Sequence, residues 1–254
     1  MKIAFFSDVH SNLEAFQTVL EDIENRKISK IFFLGDLVGY GPNPNEVIDL
    51  MKEKKIPGIM GNYDDAIAYE KESCGCTYNP GRETEIGDES VNWTIKNTTK
   101  ENKEYLKSLP KRIEFEFEGV KFLLVHGSPL NDLLEYVKPN TPVERLKEIA
   151  ESVEADIIIN GHTHITMIKK VFNKMIFNTG SVGRPKDNDY RTGYLIIDIE
   201  KAVLSFEFIR LDYNVKKTCE KISEVNLPAE LSTVLALGNT FKMAKPKENL
   251  NFKI

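Results

Sequence analysis

All four histidines of this 254-residue chain lie where an apolar, strand-like run ends, beside aspartate, glycine or threonine. They occur in Asp8-Val9-His10, in His126-Gly127 and in Gly161-His162-Thr163-His164. Two further strand ends, at Gly35-Asp36 and Gly61-Asn62, present a carboxylate and a carboxamide. Because open α/β sheets place their ligand-binding residues at strand ends, we expect these side chains to meet at one edge of the fold.

These side chains form a candidate set of metal ligands. Carboxylate, imidazole and carboxamide groups suit divalent Mn, Fe, Zn or Ni, and they differ from the thiolate-rich sets of structural zinc sites. A single residue separates Asp8 from His10 and His162 from His164, so each pair can converge on one ion or divide between two. The set is too large for one ion and suits two ions that share a carboxylate; its members are Asp8, His10, Asp36, Asn62, His126, His162 and His164.

The spacing of apolar residues predicts the elements that carry the first of these ligands. Strands are predicted over 2–7, 30–34 and 56–60, and each of them runs into one of the ligand segments. Helices are predicted after the first strand and over 45–54. The resulting β-α-β-α-β order indicates a parallel sheet with right-handed crossovers.

Residues 63–110 have a different, polar character, and we predict that they form a mostly helical insertion near the mouth of the site. The motif Cys74-Gly75-Cys76 interrupts this segment. Two thiols without a second pair are too few for a structural zinc site, so the sequence assigns them no role. The predicted helices of the insertion cover 63–71, 84–97 and 102–109.

The second half of the chain returns to strands. A hairpin that turns at Glu118-Gly119 joins strands over 113–117 and 120–125, and a strand over 156–160 runs into the last histidine motif. The helix between them is predicted to begin with Thr141 as N-cap and Pro142 as its first residue. Four successive antiparallel strands, two helices and a poorly packed tail after Gly238 are expected to follow, with the strands over 165–171, 174–179, 193–199 and 203–210 and the helices over 214–224 and 228–237.

Composition limits the classes of function. A net charge of −5 argues against charge-driven binding to long nucleic acid, but bound cations would still allow a small phosphorylated substrate. An odd number of cysteines and the lack of a cationic apolar leader or a long apolar run predict a cytoplasmic protein that does not engage the membrane. We expect a single domain over 1–254, with C-terminal helices and tail over 211–254. A homodimer is the commonest oligomer, although nothing in the sequence specifies one.

Taken in order, the five ligand motifs resemble the calcineurin-like metallophosphoesterase family. They span roughly residues 1–200. The segments from Gly35 to Pro42 and from His126 to Pro129 resemble in particular its prokaryotic branch of small, predicted phosphodiesterases. The resemblance implies an α/β fold, a four-layer α/β/β/α sandwich in which helices flank two sheets.

The resemblance also implies how the ligands are shared between two ions and which residues act in catalysis. Asp36 would bridge the ions, and a water held between them would be the nucleophile. The first ion would be held by Asp8, His10 and His164 together with Asp36, and the second by Asn62, His126 and His162 together with Asp36. The candidate catalytic residues are Asp36, Asn62, Tyr63 and His126.

Tyr63 departs from the family pattern, which commonly reads Gly-Asn-His at this point, with the histidine as proton donor to the leaving group. An ordinary tyrosine has a pKa near ~10 and is a poorer donor than imidazolium at neutral pH. We therefore expect a preference for phosphoanhydrides or activated diesters, whose leaving groups need little protonation. The alternative is that Tyr63 only packs beside the site.

Four residues near the ligand motifs are candidates for substrate contact. Arg184 and Arg191 follow the last ligand motif and could clamp a phosphate, although a surface arginine is more often a solvated charge. Asn12 follows His10 closely and could touch a substrate oxygen. Tyr40 lies in the turn after Asp36 and could stack on a base, or the turn could serve only to reverse the chain.

The leading function is that of a metal-dependent phosphoesterase acting on a phosphodiester or phosphoanhydride bond of a small, nucleotide-like substrate. The alternative among enzymes is a phosphomonoesterase, including a Ser/Thr protein phosphatase. The alternative from another class is a non-catalytic scaffold that uses the metal cleft for docking. Metal-dependent turnover would separate the scaffold from the enzymes, and the relative rates on diester, monoester, dinucleoside polyphosphate and phosphopeptide would separate the enzymes.

Overall fold

The structure is a computed structural model, and it describes residues 2–200 and 203–240. It opens with the predicted alternation of strands and helices. Strands β1, β2 and β3 are parallel, as expected for two crossover connections. The elements of this half are β1 (Lys2–Phe6), α1 (Leu13–Asn25), β2 (Lys30–Leu34), α2 (Pro44–Lys54) and β3 (Gly58–Ile59). Of the predicted tail, residues 241–254 lie outside the described part of the chain.

Three helices occupy the polar segment that follows: α3 (Asn62–Ala68), α4 (Arg82–Asn97) and α5 (Lys100–Ser108). They pack through apolar residues on the helical side of the first sheet. Helix α5 begins two residues earlier than predicted, because the Thr99 side chain accepts a hydrogen bond from the Asn102 amide and so acts as the N-cap.

The remaining elements complete two five-stranded sheets, in the orders β10-β9-β1-β2-β3 and β4-β5-β6-β8-β7. None of the helices within the described residues combines the length and apolar character needed to cross a membrane. These elements are β4 (Arg112–Phe117), β5 (Val120–Val125), α6 (Val143–Glu151), β6 (Ile157–Asn160), β7 (Thr166–Val171), β8 (Lys174–Thr179), β9 (Thr192–Glu200), β10 (Val203–Leu211), α7 (Val215–Glu224) and α8 (Ala229–Leu237).

The four strands from β7 to β10 do not form the successive antiparallel run that the sequence predicts. They form two hairpins that belong to different sheets, and β8 also pairs in parallel with β6. That prediction was wrong because apolar periodicity identifies a strand but not the sheet that it joins.

Helix α6 begins one residue later than predicted. Pro142 has φ −54° and ψ 143°, which is an extended rather than a helical conformation, so it is the N-cap and Val143 is the first helical residue. The Thr141 hydroxyl does not cap the helix. It accepts a hydrogen bond from the Lys138 amide at 2.8 Å and closes the preceding turn.

The two sheets pack face to face, and helices cover their outer faces. Along β1, Ile3 and Phe5 point into the core between the sheets, while Ala4 and Phe6 point toward the helices. The outer face of the second sheet packs against α6. The four-layer α/β/β/α sandwich is therefore confirmed, and the carboxyl ends of strands from both sheets meet at one edge.

Candidate metal centre

The predicted ligands follow five strands at this shared edge, six of them in loops and Asn62 as the first residue of α3. Asp8 and His10 follow β1, Asp36 follows β2 and Asn62 follows β3. The second sheet supplies the other three, since His126 follows β5, and both His162 and His164 follow β6. The fold therefore brings together all seven predicted ligands, which are buried.

The ligand atoms form two groups, each with its members within 4.8 Å of one another. One group is Asp8, His10 and His164, and the other is Asp36, His126 and His162. Asp36 lies between them, because its Oδ2 is 3.6 Å from His10 Nε2 and 3.3 Å from His126 Nε2. Asn62 joins the second group through its Oδ1, which lies 3.0 Å from His126 Nε2.

Backbone hydrogen bonds orient the histidine rings toward the centre. His10 Nδ1 lies 3.0 Å from the Val38 carbonyl oxygen and His126 Nδ1 lies 2.8 Å from that of Leu34. His164 Nδ1 lies 2.6 Å from the Arg184 carbonyl oxygen. A carbonyl only accepts, so each Nδ1 carries a hydrogen, and the neutral rings of His10 and His164 present the Nε2 lone pair to the other ligands.

Two buried atoms support a metal site on independent grounds. Within the described residues, neither Asp8 Oδ1 nor His162 Nε2 has a hydrogen-bond partner. In addition, His10 Nε2 and His164 Nε2 lie only 3.3 Å apart, although each ring donates its hydrogen elsewhere. Buried lone pairs that face one another are unfavourable unless a cation lies between them, so the donor set fits divalent metal ions.

A buried carboxylate that the sequence analysis did not single out holds Asp36 in place. Asp64 accepts hydrogen bonds from the amides of Asp36 at 2.7 Å, Leu37 at 2.8 Å and Gly61 at 3.0 Å. It thereby joins the loop after β2 to the start of α3. Gly61 is required there, since a Cβ at this position would lie 2.1 Å from Asp36 Oδ1.

The backbone of the ligand loops is strained. Five of the seven ligands have φ between 49° and 66°, in the left-handed region that residues other than glycine seldom adopt. Each such residue costs on the order of 1–3 kcal/mol, which the surrounding structure has to offset. This strain is concentrated where the chemistry is expected; the five residues are Asp8, His10, Asp36, His162 and His164.

The ionisable ligands have shifted pKa values. Burial raises the pKa of Asp8 to about 7. Burial acts on Asp36 in the same direction, but His126 and His10 more than offset it and hold the pKa of Asp36 below its usual range. Burial lowers the pKa of His10 to about 3, so that ring is neutral. Burial would also lower the pKa of His126, but Asp36 raises it to about 10, so a metal has to displace a proton there.

The family profile of the calcineurin-like phosphoesterase superfamily domain matches residues 1–202, which include the whole ligand set. The chain belongs to the calcineurin-like phosphoesterase superfamily. It is therefore a metal-dependent hydrolase, and the resemblance inferred from the motifs is confirmed.

This phosphoesterase is similar over most of its length to one curated relative and to two solved structures. The uncharacterised protein MJ0912 of Methanocaldococcus jannaschii is 36% identical over 252 residues, which cover 93% of this chain and 98% of the relative. A metallophosphoesterase from Sphaerobacter thermophilus is 28% identical, with a TM-score of 0.76 over 94% of this chain and all of that one. The hypothetical protein PH1004 of Pyrococcus horikoshii OT3, at 24% identity, shares the fold with a TM-score of 0.81 over 94% of this chain and 98% of that one.

A cavity of about 270 Å³ opens over the centre of this phosphoesterase. Its wall includes the ligands Asp36, His162 and His164. The loop between α3 and α4 also contributes to the lining. The other residues that line the cavity are Tyr40, Tyr63, Cys76, Thr77, Tyr78, Glu83, Tyr136, Lys138, Thr163, Ile165, Arg184, Lys186 and Thr240.

Three tyrosine hydroxyls form a chain at one wall of this cavity. Tyr78 lies 2.6 Å from the Tyr63 hydroxyl and 2.5 Å from the Tyr40 hydroxyl. The Tyr63 ring contacts His10 edge-on, with centroids 5.2 Å apart. Burial raises the pKa of Tyr63 well above its usual value, so its hydroxyl stays neutral.

The cysteine loop, to which the sequence assigned no role, orients Asn62. Asn62 Nδ2 donates to the Cys74 carbonyl at 3.0 Å and lies 3.1 Å from Cys76 Sγ. With its nitrogen occupied in this way, the carboxamide presents its oxygen to the second ligand group. The contact spans twelve or more residues of sequence, so no local pattern could have revealed it.

Two of the four predicted substrate contacts line the cavity, and two do not. Tyr40 and Arg184 are at its wall. Asn12 instead caps α1 through the Ala15 amide and donates to the Gly183 carbonyl, so its polar atoms are occupied within the protein. Arg191 is not among the residues that line the cavity, and it pairs with Asp189 at 2.7 Å.

Lys186 and Tyr136 line the cavity, although the sequence analysis singled out neither of them. Tyr136 stacks on His162 with ring centroids 4.0 Å apart and accepts a hydrogen bond from the Thr77 amide. Lys186 follows Arg184 by two residues, which was the one sequence signal available for it. Tyr136 lies between predicted elements and offered no such signal.

Proposed function

We propose that this phosphoesterase binds two divalent cations and hydrolyses a phosphodiester or phosphoanhydride bond of a small, nucleotide-like substrate. The observation that carries the proposal is the place of Asp36, which lies within 3.6 Å of a histidine nitrogen from each ligand group. A carboxylate in that place can serve two ions at once, as the two-metal mechanism of phosphoryl transfer requires.

The proposed roles follow the two groups. Asp8, His10 and His164 would hold the first ion, Asn62, His126 and His162 the second, and Asp36 both. When bound, the ions would polarise the phosphoryl oxygens and lower the pKa of a water shared between them. The protein's own part is to fix the ligands, through backbone carbonyls for three of the histidines and through the cysteine loop for Asn62.

In the reaction, the oxygen of one water bonds to the phosphorus, and one of its protons is released. The P–O bond to the leaving group breaks, and its electron pair departs with the leaving oxygen. Tyr63 can stabilise that oxygen by a hydrogen bond. Because its pKa is raised, the hydroxyl stays neutral at neutral pH and is a poor proton donor to the leaving group. This supports aryl or phosphoryl leaving groups over alkoxides.

The size of the cavity supports a small substrate. Tyr78 and Tyr136 line this cavity of about 270 Å³. A site of this volume suits a small ligand rather than the surface of a folded protein, which disfavours the protein phosphatase alternative. The net charge of −5 is likewise consistent with a small anionic ligand rather than long nucleic acid. A cytoplasmic location and a homodimer remain predictions.

The test is hydrolysis by metal-stripped protein after addition of Mn²⁺, Zn²⁺, Ni²⁺ or Fe²⁺. A bis-aryl phosphodiester and the matching monoester serve as substrates, and the bound metal is counted by elemental analysis. We expect two ions per chain and metal-dependent cleavage of the diester. Asp36→Asn and His126→Ala should each reduce kcat/KM by about 100-fold or more, since both remove charge or ligation at the reacting centre.

Asp49→Asn is the matched control, because this carboxylate lies on α2 with its side chain 60% exposed. It should retain wild-type metal content and rate. One ion per chain with full activity would contradict the two-ion proposal. Cleavage that survives both Asp36→Asn and His126→Ala would contradict the assignment of the site.

A further inference from the structure

Two basic side chains lie close together on the wall of the metal cavity. Arg184 and Lys186 are separated by one proline, and both line the cavity together with Asp36, His162 and His164. Arg184 is 4% exposed. Two basic side chains on one wall of a cavity attract a negatively charged ligand.

The segment that carries the two cations is fixed to a metal ligand. The Arg184 carbonyl accepts a hydrogen bond from His164 Nδ1 at 2.6 Å, and the Lys186 amide donates to the His164 carbonyl at 3.2 Å. The Arg184 guanidinium lies 4.1 Å from the centroid of the Tyr40 ring, which itself contacts His10. The backbone of this segment is therefore held beside a ligand of the first group.

The cavity has more positive than negative side chains. Among the described residues that line it, the acidic ones are Asp36 and Glu83, and the basic ones are Lys138, Arg184 and Lys186. Asp36 belongs to the metal ligands, and Glu83 accepts hydrogen bonds from Asn79. Within residues 2–200 and 203–240, the Lys186 ammonium has neither a hydrogen bond nor an ion pair.

The positive charge at the site exceeds what one phosphodiester would neutralise. Two divalent cations carry four positive charges, of which Asp8 and Asp36 offset two, and Arg184 adds one more. Burial, and after it Arg184, lowers the pKa of Lys186 to about 7, so this side chain is left out of the sum. The single negative charge of a phosphodiester would be taken up by the ions. A second phosphoryl group next to the first would bring its charge and oxygens to the two side chains, which suit phosphate as donors.

We propose that Arg184 and Lys186 form a subsite for a second phosphoryl group, directly linked to the one that is attacked. The substrate is then an organic diphosphate or a longer polyphosphate chain, and the bond hydrolysed is a phosphoanhydride. This inference rests on the proposed function and makes its substrate class specific.

The subsite also gives a reason for the neutral Tyr63. In phosphoanhydride hydrolysis, the bridging oxygen leaves with its electron pair as part of a phosphate, and the attacking water supplies a hydroxyl to the other phosphorus and one proton to solvent. The departing phosphate needs no protonation. It needs cations to balance its charge, and Arg184 and Lys186 provide them.

The test compares the binding of two ligands that differ by one phosphoryl group, AMP and α,β-methylene-ADP, whose P–C–P link cannot be hydrolysed. Calorimetry on Mn²⁺-loaded protein gives both dissociation constants. We expect wild type to bind α,β-methylene-ADP about tenfold or more tighter than AMP, since hydrogen bonds between charged groups have that magnitude. Lys186→Met should reduce the ratio to about twofold or less, and Lys186→Arg should restore it.

Lys170→Met is the matched control, because Lys170 is exposed on β7 and lies outside the cavity. It should keep the wild-type ratio. An equal affinity of wild type for the two ligands would overturn the subsite, and so would a ratio that Lys186→Met leaves unchanged. Hydrolysis of a bis-aryl phosphodiester by the same wild-type preparation tests the proposed function separately, since that substrate has no second phosphoryl group.

Discussion

At the scale of single residues, we propose that Tyr63 limits which leaving groups this phosphoesterase can expel. Its ring packs against His10 and its hydroxyl is hydrogen-bonded to Tyr78 at 2.6 Å. Gly39 permits this packing, because a Cβ there would lie 2.1 Å from the Tyr63 ring. The side chain is thus fixed beside the metal centre in a form that donates a hydrogen bond but seldom a proton.

A histidine at this position should widen the range of leaving groups. We expect Tyr63→His to raise kcat/KM for alkyl phosphodiesters relative to bis-aryl phosphodiesters by about tenfold or more, because imidazolium can protonate an alkoxide near neutral pH. The ratio of the two rates is the measurement. Tyr63→Phe removes the hydroxyl without supplying an acid and should not raise the ratio. An unchanged ratio in Tyr63→His would show that this position does not limit leaving-group departure.

The clustering of the seven candidate ligands could be predicted from the sequence, whereas most residues around them could not. Each candidate ligand lies shortly after an apolar strand, so its position at the edge of a sheet can be inferred from the neighbouring residues in sequence. Asn12 is equally close to a ligand in sequence, but its side chain caps α1 by accepting a hydrogen bond from the Ala15 amide. Tyr78 and Cys76 reach the site from the α3–α4 loop, and that contact depends on tertiary packing that no periodicity encodes.

At the scale of elements, Asp64 joins the loop after β2 to the N-terminus of α3. We expect Asp64→Asn to lower the free energy of unfolding by about 2–3 kcal/mol, because its amide would face backbone N–H groups that need an acceptor. It should also weaken metal binding, since the Asp36 loop loses its support. Denaturant unfolding and metal content are the measurements.

Asp65→Asn is the matched control for that change. Asp65 is the next residue along α3 and pairs with Lys71, whose side chain is 50% exposed, so its loss should cost less than about 1 kcal/mol. Equal effects of the two substitutions would mean that the backbone hydrogen bonds of Asp64 contribute little to the site.

The helices and strands themselves were largely predictable, since turn residues and apolar periodicity define them locally. Their assembly was less so. Strands β8 and β9 both read as apolar runs, yet they lie in different sheets, because β8 pairs with β6 and β9 pairs with β1. The start of α6 also escaped prediction, since Thr141 serves the preceding turn instead of the helix.

At the scale of the whole molecule, metal binding should contribute to stability. Ions that bind the folded chain alone stabilise it by about 2.7 kcal/mol when present at 100 times their Kd. For a chain of this size we therefore expect chelation to lower Tm by about 5–10 °C and Mn²⁺ to restore it. Thermal unfolding with and without chelator measures this. In Asp36→Asn, the difference in Tm with and without metal should be smaller. A wild-type Tm that does not change on chelation would contradict the expectation.

Each ligand group draws on both sheets of the sandwich. Asp8 and His10 come from the first sheet and His164 from the second, while Asp36 comes from the first and His126 and His162 from the second. The ions would therefore cross-link the two sheets at their interface, and any sliding of one sheet against the other would change the distances between the ligands of one ion. Substitutions deep in that interface, at Phe5 or Phe122 for instance, would then alter metal affinity without touching a ligand.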